Sequence, residues 1–460
     1  MHSYTALLMV VSARRQRPRR VLIAYAAPGL PASPRHTGEV FPVALSPANS
    51  PWSMPAFRLL WAGRSVSVFG SLIGGLALQF TAILWLEASP GEVAILAASQ
   101  LLAGFLASAG AGVWVDRLRR RPLMIAADLG RAAILLSIPA AALAGWLTMA
   151  QLYVAGFAAS ALTAFFEAAY QAYLPTLIPR TELVEGNARL QGTASAVEVA
   201  SFSASGWLVQ ALRAPGAVAI DALTFVASAF FLWRIEADEP PPPPAAERAG
   251  FLGEAIDGLR VVAGHPLLRP LAIATALQSL AAQIISVLFL VYLSGEIGFA
   301  PGTLGLIFAV GGISSVAGAW AANRGWLVAG GAGPTLIAAA ALRAVGAFFM
   351  PLCASTGLAG VALLVANQLV TDPFWTIFEI HDVSLRQAAA PEQMLGRVFA
   401  NFRLVEFGFA FAGTGAAAVL AALVGTRGGL FAGCGLMLLS AAVLAASPTV
   451  RDARKVPQRA

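Results

Sequence analysis

Apolar residues run through this chain in long blocks, each closed by a short polar or proline-bearing break. From Phe57 onward there are twelve such blocks: 57–86, 93–115, 123–145, 149–173, 190–212, 216–235, 267–293, 302–322, 333–354, 357–380, 398–424 and 428–447. A helix rising ~1.5 Å per residue crosses a ~30 Å hydrocarbon layer in about 20 residues, so each block is a candidate crossing. Barrel strands alternate over ~10 residues, and these blocks are too long and too continuous for that. The pattern predicts an all-α, polytopic membrane protein with 12 transmembrane helices.

Residues 1–53 read differently. The apolar stretch Leu7–Val11 is too short to span. Five arginines, Arg14, Arg15, Arg17, Arg19 and Arg20, follow it, which is the wrong order for a secretory signal. A proline-rich stretch without period comes next. The expectation is a disordered or mis-assigned extension, with Met54 as the start, since Met54-Pro-Ala-Phe-Arg58 leads directly into the first block.

Composition strengthens the membrane reading. Apolar residues make up 58% of the chain and charged residues 12%, against roughly 45–50% and 25% in soluble domains. The net charge of +7 does not point to nucleic acid, because the arginines sit between apolar blocks, as orientation signals do. The even-numbered connections carry Arg117–Arg121, Arg180 and Arg189, Arg248 and Arg260, Arg324, then Arg386 and Arg397; the odd ones carry Arg213 and Arg427. That bias predicts even connections and both termini on the cytoplasmic side of a bacterial inner membrane. Cys353 and Cys434 fall inside apolar blocks and read as buried free thiols.

The domain reading follows: a first six-helix bundle at 54–235, a linker at 236–266, a second bundle at 267–447, and a basic tail at 448–460. Pro240–Pro244 stiffens the linker, and Glu247–Val262 suits a surface helix. The bundles repeat each other. Arg131-Ala132 recurs as Arg343-Ala344 and Pro179 as Pro391, both at an offset of 212; Glu198 and Glu406 each follow an arginine by nine residues. Such repeats build transporters with a substrate site between the halves.

A charge at the bilayer centre costs about 2.5 kcal/mol or more on insertion scales, so intramembrane carboxylates are candidate proton carriers. Glu198, Glu167, Glu406 and Asp372 are read this way. Glu379 lies at the edge of its block and is read as structural. Asp128 and Arg131, three apart on one helix, are read as a structural charge pair. Gln79, Phe165, Gln278, Gln283, Asn367, Gln368, Phe374 and Trp375 are the candidates for lining a cavity. No Walker loop, metal spacing or catalytic constellation is present, so no cofactor, no metal and no enzymatic activity are expected.

The basic connection Gly112-x-x-x-Asp116-Arg117-x-x-Arg120-Arg121 resembles the signature loop of the major facilitator superfamily. Three further stretches, Asp128-Leu-Gly-Arg131-Ala, Leu174-Pro-Thr-Leu-Ile-Pro-Arg through Asn187-Ala, and Asp221-Ala-Leu-Thr-Phe225, resemble the macrolide-efflux and enterobactin-exporter type of drug:proton antiporter. Arg119 stands where the loop usually has glycine, and the Gly-Pro usual in the fifth helix is absent near Ser201-Phe202. The resemblance implies two pseudo-symmetric six-helix bundles. It also implies a gating loop of Gly112, Asp116, Arg117, Arg120 and Arg121, with Asp116 meeting a helix N-terminus. Helices one, four, seven and ten would line the cavity. The expected partners are a small amphiphilic substrate, protons and the lipid bilayer, with the chain acting as a monomer. Other readings are uptake, transport of a siderophore, lipid or metabolite, and a non-transporting sensor or scaffold.

Overall fold

The structure is a computed structural model of the 460-residue chain; it describes residues 51–115, 118–179, 182–236, 259–323, 331–390 and 394–453. Helices dominate and no strand occurs among the described residues. Ten of these helices are long and apolar enough to cross a membrane. They are α1 (Pro55–Phe80), α2 (Pro90–Val115), α3 (Arg120–Ala144), α4 (Met149–Leu177), α5 (Leu183–Trp233), α6 (Leu268–Leu290), α7 (Pro301–Asn323), α8 (Ala332–Ala347), α9 (Leu358–Ala389) and α10 (Leu395–Ala446).

Two of the ten are far too long for one crossing. α5 has 51 residues and α10 has 52, about 75–80 Å each at ~1.5 Å per residue. Each contains one residue that leaves the helical region. In α5 it is Arg213, at φ 60°, followed two residues later by Pro215. In α10 it is Gly425, at φ 76°, where the missing Cβ removes the steric cost of the left-handed backbone. Each of these helices is therefore two crossings joined by a one-residue corner. Splitting both yields twelve segments, in agreement with the hydropathy pattern. The loops expected near 213–215 and 425–427 are these corners.

Local chemistry sets the other ends. Ser89 and Glu92 form a reciprocal capping box: the Ser89 amide donates to Glu92 Oε2 at 2.8 Å and the Glu92 amide to Ser89 Oγ at 3.3 Å. Thr148 Oγ1 accepts from the Gln151 amide at the start of α4. At the start of α3, Arg121 Nε donates to the Leu232 carbonyl at 2.9 Å, tying it to the end of α5.

The chain alternates between a terminal face, where α1 begins and α10 ends, and an opposite face. α1 packs on α5, α2 and α3 on α4, and α3 on α5 in the first half. In the second half α6 packs on α10, α9 on α7 and α8, and α8 on α10. α1 and α6 both end in a π-helical turn, Thr81–Trp85 and Val291–Glu296, which supports the repeat. Pro51 and Trp52, ahead of Met54, join the packing: the Trp52 ring lies 5.9 Å from Phe57 and 4.9 Å from Trp61. The expected extension at 1–50 and most of the linker helix at 247–262 lie outside the described residues; its last residues, 259–262, are helical.

The halves meet through α5 with α7 and through α2 with α10. Gly206 and Gly305 let α5 and α7 cross backbone to backbone, since a Cβ on either would strike main-chain atoms of the other helix. Nearby, Gln210 Oε1 accepts from the Gly302 amide at 3.2 Å. Phe202 and Phe289 both pack edge-on against Phe308. Phe105 of α2 reaches Phe407 of α10 at 5.7 Å. The buried core shows the consequence. On the opposite face one cluster runs through both halves, including Leu76, Ile83, Val209, Leu293 and Leu304. Toward the terminal face the core divides. One cluster, around Phe57, Met124, Phe166 and Tyr173, belongs to the first half; another, around Leu271, Leu336, Phe378 and Phe402, belongs to the second.

Candidate functional site

Charged side chains gather at three places within the bundle. The first is in α1, α3, α4 and the second arm of α5. Arg131 and Asp128 form an ion pair, both nearly fully buried. Arg131 also stacks on Phe225 at 3.9 Å and on Phe166 at 4.7 Å, and donates to Thr163 Oγ1 at 3.3 Å. A guanidinium on aromatic faces is held by the ring quadrupole as well as by its carboxylate. Asp221 is buried within electrostatic range of Arg131, behind Gly70 and Gly74 of α1. Two of the stretches that suggested an exporter thus meet in one cluster. Next to Phe166 in the chain, Glu167 Oε1 accepts from Arg64 Nη1 at 2.5 Å, and Arg64 lies 4.9 Å above the Tyr170 ring. Both partners are part-exposed.

The second place is in α6, α8, α9 and α10. Arg343 Nη1 donates to Gln278 Oε1 at 2.7 Å; Gln278 Nε2 donates to Ser440 Oγ at 2.9 Å; the Arg343 guanidinium stacks on Trp375 at 3.7 Å. Farther along α9, Arg386 pairs with Asp382 one turn before it. It also donates to Glu406 at 3.3 Å and Thr275 at 2.7 Å, and stacks on Phe402 at 3.9 Å.

The third place is the boundary between the halves. Asp372 of α9 lies against Gly311 of α7, together with Gln368. The next residue, Gly312, is covered by Val199 of α5. Glu198 therefore stands within electrostatic range of Asp372 across the boundary.

The site residues read from sequence fall as follows. Asp116 and Arg117 lie outside the described residues, and Gly112 is in α2 with no described surroundings. Glu198 and Asp372 stand within electrostatic range of each other from opposite halves, Glu167 has Arg64, and Glu406 has Arg386. Asp128 and Arg131 pair as their spacing suggests. Gln278 is taken up by Arg343 and Ser440. Asn367 Nδ2 donates to the Gly346 carbonyl at 2.9 Å, and Gln283 backs Gly413. Gln79, Phe165, Gln368, Phe374 and Trp375 are half-buried. Arg64, Asp382 and Arg386 were not anticipated. Glu379 was placed at the edge of a block ending near 380, but α9 runs on to Ala389, which sets Glu379 ten residues inside. A signal was present: Glu379 is Glu167 displaced by 212, the offset of the arginines.

Comparison with known sequences settles the family. The sequence model of the Major Facilitator Superfamily matches residues 60–400. The chain belongs to this superfamily. As a member of the major facilitator superfamily it is a multi-pass membrane transporter. It is 26% identical over 257 residues to the uncharacterised MFS-type transporter YvqJ of Bacillus subtilis, covering 53% of this chain and 59% of that one. It is 28% identical over 268 residues to macrolide efflux protein A of Streptococcus pyogenes, covering 54% and 64%. The aligned stretch thus spans less than two thirds of either relative. Among solved structures, a bacterial homologue of the iron transporter ferroportin in its inward-facing state superposes with a TM-score of 0.65 at 17% identity, over 85% of this chain and 98% of that one.

Proposed function

We propose that this superfamily member exports a small amphiphilic molecule from a bacterial cytoplasm in exchange for protons, the two six-helix halves rocking about a central site. The observation that carries the reading is the boundary: Asp372 lies on Gly311 and Val199, next to Glu198, on Gly312 of the same helix, with Trp375, Phe374 and Gln368 on the same stretch of α9 as Asp372. Two carboxylates beside aromatic and amide side chains suit a ligand with a cationic group and an apolar body, or a proton in its place. A shared site that takes one or the other is the simplest means of exchange.

The arginine bias makes the terminal face cytoplasmic. With the core continuous on the opposite face and divided on the terminal face, the described state is then the one that loads substrate from inside. Asp116 in the signature loop would latch the reverse state, and Arg120 and Arg121 would hold the loop to that face. Glu167 and Glu406 are further coupling candidates in the two halves. The similarity to macrolide efflux protein A favours export of a drug-sized compound over a siderophore, lipid or metabolite, and over uptake. The cost of intramembrane carboxylates argues against a sensor or scaffold, since neither needs them.

The test is transport by purified protein in proteoliposomes, with a radiolabelled macrolide as probe and an imposed pH gradient. Accumulation that follows the gradient and disappears in Asp372→Asn and Glu198→Gln supports the reading. Transport that ignores the gradient in wild type overturns proton exchange, and no movement of any of a panel of amphiphiles overturns export.

A further inference from the structure

The second half contains a charge imbalance that its own geometry leaves unsettled. Glu167 and Glu379 occupy equivalent places: each stands ten residues before the end of its helix, Leu177 in α4 and Ala389 in α9. At ~1.5 Å per residue that is about 15 Å from the helix end. Their partners differ. Glu167 receives Arg64 from α1. The π-turns and the prolines Pro90 and Pro301 align α1 with α6 at an offset of 211, so the counterpart of Arg64 is Thr275. Thr275 has no charge and itself accepts a hydrogen bond from Arg386.

The groups around Glu379 can be named from every packed helix. α6 offers Thr275, α7 has no ionisable residue, α8 offers Arg343, α9 offers Asp372, Asp382, Arg386 and the buried His381, whose Nδ1 lies 2.8 Å from the Ile377 carbonyl, and α10 offers Glu406. Arg343 is turned to Gln278 and Trp375. It also stands within electrostatic range of Glu379 and Asp372, so two guanidiniums, Arg343 and Arg386, serve four carboxylates, Asp372, Glu379, Asp382 and Glu406. Asp382 is only 2% exposed, and its Oδ1 has no hydrogen-bond partner. An uncompensated buried carboxylate is costly, and it is relieved by a cation or a proton. A proton is the smallest such cation and needs no ligand cage.

We propose that Glu379, with Asp382 and Glu406 around Arg386, is the proton-carrying site of the second half, while its counterpart Glu167 is held in an ion pair with Arg64. As the coupling site of an exporter this rests on the function proposed above; as a proton site it does not. Loading and unloading would follow from the position of the cluster, which lies on the terminal side of the boundary pair Glu198 and Asp372.

The test is infrared difference spectroscopy of the full chain in lipid, with no substrate present. Wild type is expected to show a protonated carboxyl stretch at neutral pH that shifts in heavy water and is lost on alkalinisation. Glu379→Gln should reduce its area, and Asp382→Asn should shift it. Glu92→Gln, at the solvent-exposed capping box, should leave it unchanged. If Glu379→Gln does not fold, the shift in Asp382→Asn decides. A wild type without the band, or a band unaltered in the variants that fold, overturns the site. A band that behaves as expected in a protein that transports nothing overturns only the exporter reading.

Discussion

The two halves share a backbone plan but settle their buried charges differently. In the first half Arg131 has an ionic partner on its own helix, Asp128. Its repeat, Arg343, has Ala340 at the matching place and turns to Gln278 of α6, a neutral acceptor. One helix over, Glu167 is matched by Arg64, whereas the counterpart of Arg64 in the second half is Thr275, which accepts from Arg386. Neither half is electrically closed, since Asp221 in the first and Asp382 in the second are both buried with Oδ1 unpartnered; the halves differ in that Glu167 has an arginine of its own and Glu379, among the described residues, has none. Duplication kept the helices and the arginine–aromatic stacking, and the two copies now differ in having Arg64 or Thr275 at the equivalent place.

The largest effect should come from breaking the buried ion pair of the first half. Arg131→Met leaves Asp128 buried without its partner, and losing one member of a buried pair costs about 3–5 kcal/mol. Thermal unfolding of the purified protein should fall sharply, and full stability would show that the pair is dispensable. Arg343→Met removes a partner from a neutral amide, so about 1–3 kcal/mol is expected in the same assay. If Arg343→Met destabilises more than Arg131→Met, the contrast between the halves is wrong. Smallest is the coupling between Arg64 and Glu167. Both are part-exposed, so a double-mutant cycle with Arg64→Gln and Glu167→Gln should return roughly 1 kcal/mol or less. The gate is a separate matter of rate: Asp116→Asn should keep expression and stability but lower transport, and unchanged transport would remove the latch from the account.

Much of the architecture was legible because lipid is a strict solvent. Every crossing needs a long apolar block, and that requirement is written locally. The repeat was legible too, since Arg131 and Arg343 kept their spacing and both proved to be stacked on aromatic rings. The pairings were not. Arg64 and Glu167 lie 103 residues apart, and nothing local marks them as neighbours. Arg386 looked like a topology arginine because the hydropathy of α9 fades before the helix does. The same fading put Glu379 at a membrane edge. Charged residues lower the apolar signal at the place where a buried charge cluster needs the helix to continue. Pattern reading therefore cuts a functional helix short at its site. The corners at Arg213 and Gly425 were legible as breaks between blocks, at 213–215 and 425–427, though not as single residues, since a sharp backbone reversal needs no polar loop.

The proposed division gives the proton of the second half to Glu379, while its counterpart Glu167 in the first is held by Arg64. It is tested most directly by comparing two modes of transport in proteoliposomes for Glu379→Gln. One is accumulation of substrate driven by a pH gradient. The other is exchange of labelled for unlabelled substrate with no gradient. The account predicts that gradient-driven accumulation is lost while exchange continues, because the halves still rock but no longer carry a proton. Gradient-driven accumulation at the wild-type level in that variant would contradict it.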